Sequence, residues 1–371
     1  MSNPSLAEII RYCYRNDQIQ ASPRQWQVLH HLMDCRTAKM GGAVYQCSSC
    51  HARWLWHHSC RDRHCPQCQS QASQNWSNKQ KQQLLPVPYF HMVFTLPHEL
   101  NGWVSRYGEL IYRLLFQASW QALKGLSERK LKGQPGMTAV LHTWGQKLNR
   151  HVHLHCLIPA GVLKYGQKWQ QRDKSYLLPV KALSKRFRGI MVSLLREAEQ
   201  QGLLMELSKR EVTAVLNKLM RKPWVVYSKS AIHYQETLVQ YLARYSYRIG
   251  LSNHRIKHWA EDQITLSYHD YKHRCATTLQ LTCSELVRRY LLHILPKGFM
   301  RIRHYGYLSN ATKAKSLAVI RKALIHTKPT SVEVVQTEGV KPHCPECGCD
   351  CIHCMGEVKK MVSCYQESNT T

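Results

Sequence analysis

The sequence predicts an α+β fold: an antiparallel sheet backed by helices, with small cysteine-rich zinc-binding modules attached. Three observations predict it. The middle of the chain reads β-α-β-β-α-β-α, the stretch "HVHLHC" (151–156) alternates two kinds of residue, and cysteines gather near both ends. That element order is the one found in ferredoxin-like and RRM-like sheets.

The elements follow from local signals. In "SPRQWQVLHHLMDC", Ser22 caps a helix with Pro23 at its first position, leading into the first cysteines. The polar segment "NWSNKQKQQLLPVPY" reads as a helix broken by Pro86 and Pro88, which sets a boundary near residue 86. Residues 91–97 ("HMVFTLP") read as a strand, "YGELIYRLLFQASWQALKGL" as a long amphipathic helix and "GMTAVLHTW" as a second strand. The histidine run is a third strand, because only a strand places positions two apart on one face. His151, His153 and His155 then share one side, with Val152, Leu154, Cys156 and Ile158 on the apolar other. Residues 181–220 are helical and basic, 222–229 ("KPWVVYSK") a strand, "QETLVQYLARYSYRI" a helix, and 264–271 ("ITLSYHDY") a late strand.

Charge points to the partner. The chain has 371 residues, with 52 Lys and Arg against 23 Asp and Glu, and the net charge of +29 is spread along its length. A surface of this kind attracts polyanions, of which nucleic acid is the usual one, since each Lys or Arg set on a phosphate releases a counterion. There is no apolar run of about 18 residues and no signal-peptide pattern, so a cytosolic, nucleoid-associated protein without membrane contact is expected.

Sixteen clustered cysteines in such a chain point to metal ligands before disulfides. Two Cys-x-x-Cys knuckles, Cys47/Cys50 and Cys65/Cys68, have the spacing of a four-cysteine zinc ribbon. Cys35, Cys60 and His64, with His57 or His58, are candidates for a second site. In the tail, Cys344/Cys347 pair naturally with Cys351/Cys354. Four-cysteine shells leave no open position, so these sites read as structural.

In "YLARYSYRI", Tyr241 and Tyr245 lie four apart on one helical face, while Tyr247 points elsewhere. Alone, such a pair reads as amphipathic packing. Arg301, Arg303, His304 and Tyr305 in "RIRHYGYL" form a basic and aromatic mixture suited to following a single-stranded backbone, or to a solvated cationic edge. No triad of carboxylates of the DDE type is apparent.

Taken with the cysteine-rich N-terminal segment, the stretches "YFHMVFTLPHEL", "LHTWGQKLNRHVHLHCLIPAG", "YLARYSYRIGLSNHRI" and "ELVRRYLLHILPKGFMRIRHYGYLSN" resemble the two-tyrosine HUH transposases of the insertion-sequence ninety-one family, over about residues 25–325. The resemblance implies a rolling-circle, single-strand DNA transposase with an HUH endonuclease domain. In it a metal held by His153 and His155 polarises a DNA phosphate, and Tyr241 and Tyr245 attack to give a 5′-phosphotyrosine link and a free 3′-OH. Arg150 stands where the family pattern has proline. Two imidazoles need a third ligand, for which His151 and Gln146 are the candidates. Gln146 is preferred, because three alternate histidines span about 13 Å of strand at about 3.3 Å per residue. Magnesium or manganese is the ion the family implies, beside structural zinc, and no small-molecule substrate is expected.

The implied organisation is a helical leader (1–34), a zinc-binding domain (35–72), a linker (73–87), the catalytic domain (88–275), a basic DNA-binding extension (276–330) and a cysteine-rich tail (331–371). An HUH replication initiator or relaxase, and a non-catalytic zinc-finger DNA binder, are the alternative readings.

Overall fold

The computed structural model describes residues 4–69, 83–165, 168–172, 178–232, 250–270, 273–324 and 343–360. Its elements run α1 (Leu6–Arg15), α2 (Pro23–Asp34), β1 (Gly42–Cys47), β2 (Arg53–His57), β3 (Tyr89–Thr95), α3 (Asn101–Leu131), β4 (Gly136–Trp144) and β5 (Arg150–Pro159). There follow β6 (Gly161–Lys164), β7 (Lys168–Gln171), α4 (Val180–Gln200), α5 (Lys209–Arg221), β8 (Val226–Ile232), β9 (Ile256–Ala260), β10 (Gln263–Asp270) and β11 (Cys275–Thr282). The last are α6 (Cys283–Leu291), β12 (Ile302–Gly306), α7 (Lys313–Leu324) and β13 (Ile352–Val358). No helix among the described residues is long and apolar enough to cross a membrane.

The chain divides into two units, one formed by residues 1–71, 251–294 and 331–371 and the other by 72–250 and 295–330. Residues 251–294, which the sequence reading divides between catalytic domain and extension, fall in the first unit.

In the first unit, Ser5 and Ser22 each close a capping box, with Glu8 and Gln25, and Pro23 opens α2 as the sequence predicts. α1 buries Leu6, Ile9, Ile10 and Cys13, and α6 buries Cys283, Leu286, Val287 and Tyr290. The two helices pack together, which is why the late segment belongs here. The strands β9, β10 and β11 form an antiparallel meander, and β1 lies between β2 and β13 in a second small sheet.

The second unit is built on a five-stranded sheet in the order β12-β4-β5-β3-β8, every neighbouring pair antiparallel. Within it, β8-β3-β5-β4 is the order of a split β-α-β arrangement, as the element pattern predicts. One face is apolar. Met92, Phe94, Ala139, Leu141, Val152, Leu154, Cys156 and Ile158 pack under α3 and α4 against Leu115, Phe116, Phe187 and Met191. α3 bends at Tyr107, whose φ and ψ are non-helical. The strand β12 was not expected, since its residues read from sequence as a DNA-contacting edge. It pairs Ile302 with Val140 and Gly306 with Gly136, extending the sheet beyond β4. Gly306 has φ +63, and a Cβ there would stand 1.9 Å from the Pro135 carbonyl oxygen, so only glycine fits.

Candidate functional site

The other face of that sheet carries the imidazoles. Pairing places His142 on β4 directly opposite His153 on β5, and His91 on β3 opposite Leu157, one diagonal step from His155. Directly opposed residues share a face, so four histidines from three strands meet. The ring nitrogens of His142, His153 and His155 lie within 4.8 Å of one another. His142 and His153 are buried, and His155 is partly so.

Hydrogen bonds set how these rings point. His153 Nδ1 is 2.8 Å from the carbonyl oxygen of His151, an acceptor, so that nitrogen carries the proton and Nε2 is left as a lone pair in the neutral ring. His153 Nε2 faces His155 Nε2 at 3.0 Å, and His155 Nδ1 is 2.8 Å from His91 Nε2. A single proton can sit in the Nε2 to Nε2 contact, and a cation can replace it. With a cation there, His155 would carry its proton on Nδ1 and donate it to His91 Nε2.

Burial favours the neutral form of His153, His155 and His91. It pushes His153 down to about 4, with the His151 charge adding to it, and His155 well below the ordinary range, with His142 adding. His91 is also brought to about 4, by burial first and then by Lys229. A histidine whose folded value lies below its unfolded one binds fewer protons folded than unfolded between the two. Its contribution is therefore complete above about pH 6.5 and lost as pH falls toward 4. The metal-free protein is expected to lose a few kcal/mol, in order of magnitude, as pH falls from 7 to 4. Urea midpoints across that range check this, and a flat profile contradicts it.

His151, one of the two expected third ligands, lies outside that group of three. His151 is exposed; its carbonyl oxygen accepts from His153 Nδ1, and its ring centroid lies 4.7 Å from that of His153. Gln146 is exposed in the turn between β4 and β5, which Gly145 and Asn149 close by a backbone bond of 2.9 Å. His142 stands third in the group with His153 and His155. The sequence carried a signal for it, because a hairpin of "LHTW" onto "RHVHLH" sets one histidine across from another. Tyr241 and Tyr245 lie outside the described residues.

The basic and aromatic edge is largely engaged in packing. Tyr305 stacks on Trp120 with centroids 5.3 Å apart, the Arg303 guanidinium lies 4.4 Å above the Phe116 ring, and His304 Nδ1 is 2.9 Å from Thr138 Oγ1. One face of Tyr305 is thus covered by Trp120. Arg301 is half-buried just ahead of β12.

The cysteines pair otherwise than their spacing suggests. Cys35, Cys60, Cys65 and Cys68 form one group, and Cys47, Cys50, Cys344 and Cys347 another. In the first, Cys35 is 3.6 Å from both Cys65 and Cys68, and Cys60 is 3.6 Å from Cys68. So the two N-terminal knuckles serve different clusters. His64 is turned aside: its Nδ1 is 2.9 Å from Asp62 Oδ1, and its carbonyl accepts from the Tyr290 hydroxyl. His58 Nε2 lies 3.3 Å from Glu357. Cys351 and Cys354 are exposed and belong to neither group.

Residues 136–316 match the Y2_Tnp family model, described as "Putative transposase", and residues 9–96 match the model of a transposase zinc-binding domain of IS91 type. A protein titled "Putative transposase y4qJ", from Sinorhizobium fredii, is 36% identical over 346 residues, 90% of this chain and 87% of its own. The transposase for insertion sequence element IS801, from Pseudomonas savastanoi pv. phaseolicola, is 26% identical over 314 residues, covering 80% of this chain and 73% of that one. No solved structure matches the chain significantly.

Proposed function

The chain belongs to the IS91 family of insertion-sequence transposases, and from that premise we propose that it cuts and rejoins single-stranded DNA at element ends and target through Tyr241 and Tyr245, beside a divalent ion held by His142, His153 and His155. The observation that supports this best is the convergence of three imidazoles on one point of a sheet face. A lone structural histidine needs one partner, not two further rings. A divalent ion at that point draws charge from a DNA phosphate. Imidazole nitrogens suit Mn²⁺ better than Mg²⁺, which favours oxygen ligands.

The reaction needs little else from the protein. A tyrosine hydroxyl attacks phosphorus, its proton passes to solvent, the bond from phosphorus to the 3′ oxygen breaks, and that oxygen takes up a proton. The 5′ end stays on the tyrosine. Reversal by a new 3′-OH rejoins the strand. Two tyrosines four residues apart in sequence can hold two such ends in succession, as a rolling-circle transfer between element and target requires. The basic surface, with Arg301 and Arg303 among its residues, supplies phosphate contacts, and its place of action is the nucleoid.

Incubation with an oligonucleotide of the element end tests this. Adduct should form with Mn²⁺, vanish with chelator, and map by mass spectrometry to Tyr241 or Tyr245. Tyr241→Phe and Tyr245→Phe should each keep some adduct and fail to complete transposition, and the double variant should form none. An adduct on Tyr247, or on the double variant, would overturn the assignment.

A further inference from the structure

We infer that Cys47, Cys50, Cys344 and Cys347 hold one structural zinc ion between them, so that the two ends of the chain supply two ligands each to a single site. Neither the zinc-binding family match, which ends at residue 96, nor the spacing of the tail cysteines assigns this site.

The two knuckles are built alike. In the first, the His51 N–H donates to the Cys47 carbonyl at 3.0 Å and the Cys47 N–H to the Ala52 carbonyl at 3.0 Å. In the second, the Gly348 N–H donates to the Cys344 carbonyl and the Cys344 N–H to the Cys349 carbonyl, both at 2.9 Å. The offsets match residue for residue. The residue after each second cysteine is in the left-handed region, His51 at φ 60 and Gly348 at φ 72. Each knuckle offers one buried thiol, Cys47 or Cys344, and one exposed thiol, Cys50 or Cys347.

The thiols also stand at the right separation. Cys50 Sγ is 3.5 Å from Cys344 Sγ, and Cys47 Sγ is 3.6 Å from Cys347 Sγ. Four sulfurs each about 2.3 Å from a tetrahedral ion lie about 3.8 Å apart, whereas a disulfide needs about 2.0 Å. The Ser49 and Cys50 N–H groups point at Cys47 Sγ from 3.3 and 3.4 Å, contacts that favour a thiolate. Around the site the backbone is already joined. β1 pairs with β13 from Gly42 and Val358 to Cys47 and Ile352, and the Ser48 N–H donates to the Cys351 carbonyl at 2.8 Å. Cys349 Sγ also approaches Cys47 Sγ, at 3.2 Å, but Cys349 occupies the place that Ala52 fills in the first knuckle, where the backbone carbonyl does the work.

Zinc counting on the purified full chain tests this, read as differences from the parent after dialysis against a weak chelator. Cys47→Ser with Cys50→Ser should remove one zinc, Cys344→Ser with Cys347→Ser should remove one, and all four together should still remove one. A loss of two from the fourfold variant would mean separate sites and overturn the inference. Cys349→Ser, and Cys351→Ser with Cys354→Ser, should lose none, and a loss from the latter pair would restore a site confined to the tail. A measurement on the unmutated chain guards against variants that fail to fold. After zinc is stripped and the thiols gently oxidised, peptides containing Cys47 or Cys50 should be disulfide-linked to peptides containing Cys344 or Cys347. Links confined to each end would again overturn the shared site.

Discussion

Replacing His142 by alanine is expected to lower single-strand nicking by roughly 10³-fold or more while leaving DNA affinity within about twofold. The side chain is buried on β4 and lies directly opposite His153, so its loss takes away one of three converging nitrogens without touching the basic surface. His153→Ala and His155→Ala should behave alike. His91 gives a graded companion. It holds His155 Nδ1 at 2.8 Å, so His91→Phe should weaken Mn²⁺ binding about 10- to 100-fold while nicking is partly rescued by excess Mn²⁺. Nicking kinetics and a Mn²⁺ titration measure both. Parent-like nicking by His142→Ala would remove the three-histidine site from the reaction.

Cys65→Ser is expected to unfold the zinc-binding module and lower zinc content by one. The cluster it belongs to is closed, with Cys65 2% and Cys35 4% exposed, so no outside ligand can replace the thiolate. Structural zinc contributes about 10 to 16 kcal/mol to the folding of small zinc-binding domains near neutral pH, as much as the whole margin of a typical domain. The damage should spread along a known contact. The Tyr290 hydroxyl donates to the carbonyl of His64, which tethers the knuckle to α6. Amide exchange across residues 283–291 should therefore quicken along with that of the knuckle, and recognition of element ends should weaken. An unchanged thermal transition with full zinc content would show that the cluster is not a zinc site.

How far the fold could be read from the sequence depended on how local its causes are. α2 was legible because Ser22, Pro23 and Gln25 act within one turn, and the ends of β4 were legible because a glycine opens it and a turn follows. The apolar face of β5 followed from alternation alone. What was lost depended on pairing across distance. β12 carries no apolar alternation of its own and forms because Gly306 can come close to Pro135. His142 needed the register of a hairpin, and the cysteine groups needed to know that residue 47 meets residue 347. Spacing rules join near neighbours, which is why they paired Cys47/Cys50 with Cys65/Cys68.

The late arrival of β12 bears on how the protein comes to be made. The strands β3, β4, β5 and β8 fall within residues 89–232, while the strand that covers β4 begins only at Ile302. During synthesis, at about 5 to 20 residues per second, the central sheet can assemble seconds before its outer strand exists. For that interval β4 offers a row of unpaired amides and carbonyls, a template for any other extended chain. Pairings of such long sequence separation form slowly. Aggregation of newly made chains should therefore be most sensitive to changes in 302–306, even though these residues lie far in sequence from the histidines, and slower translation past residue 232 should worsen it.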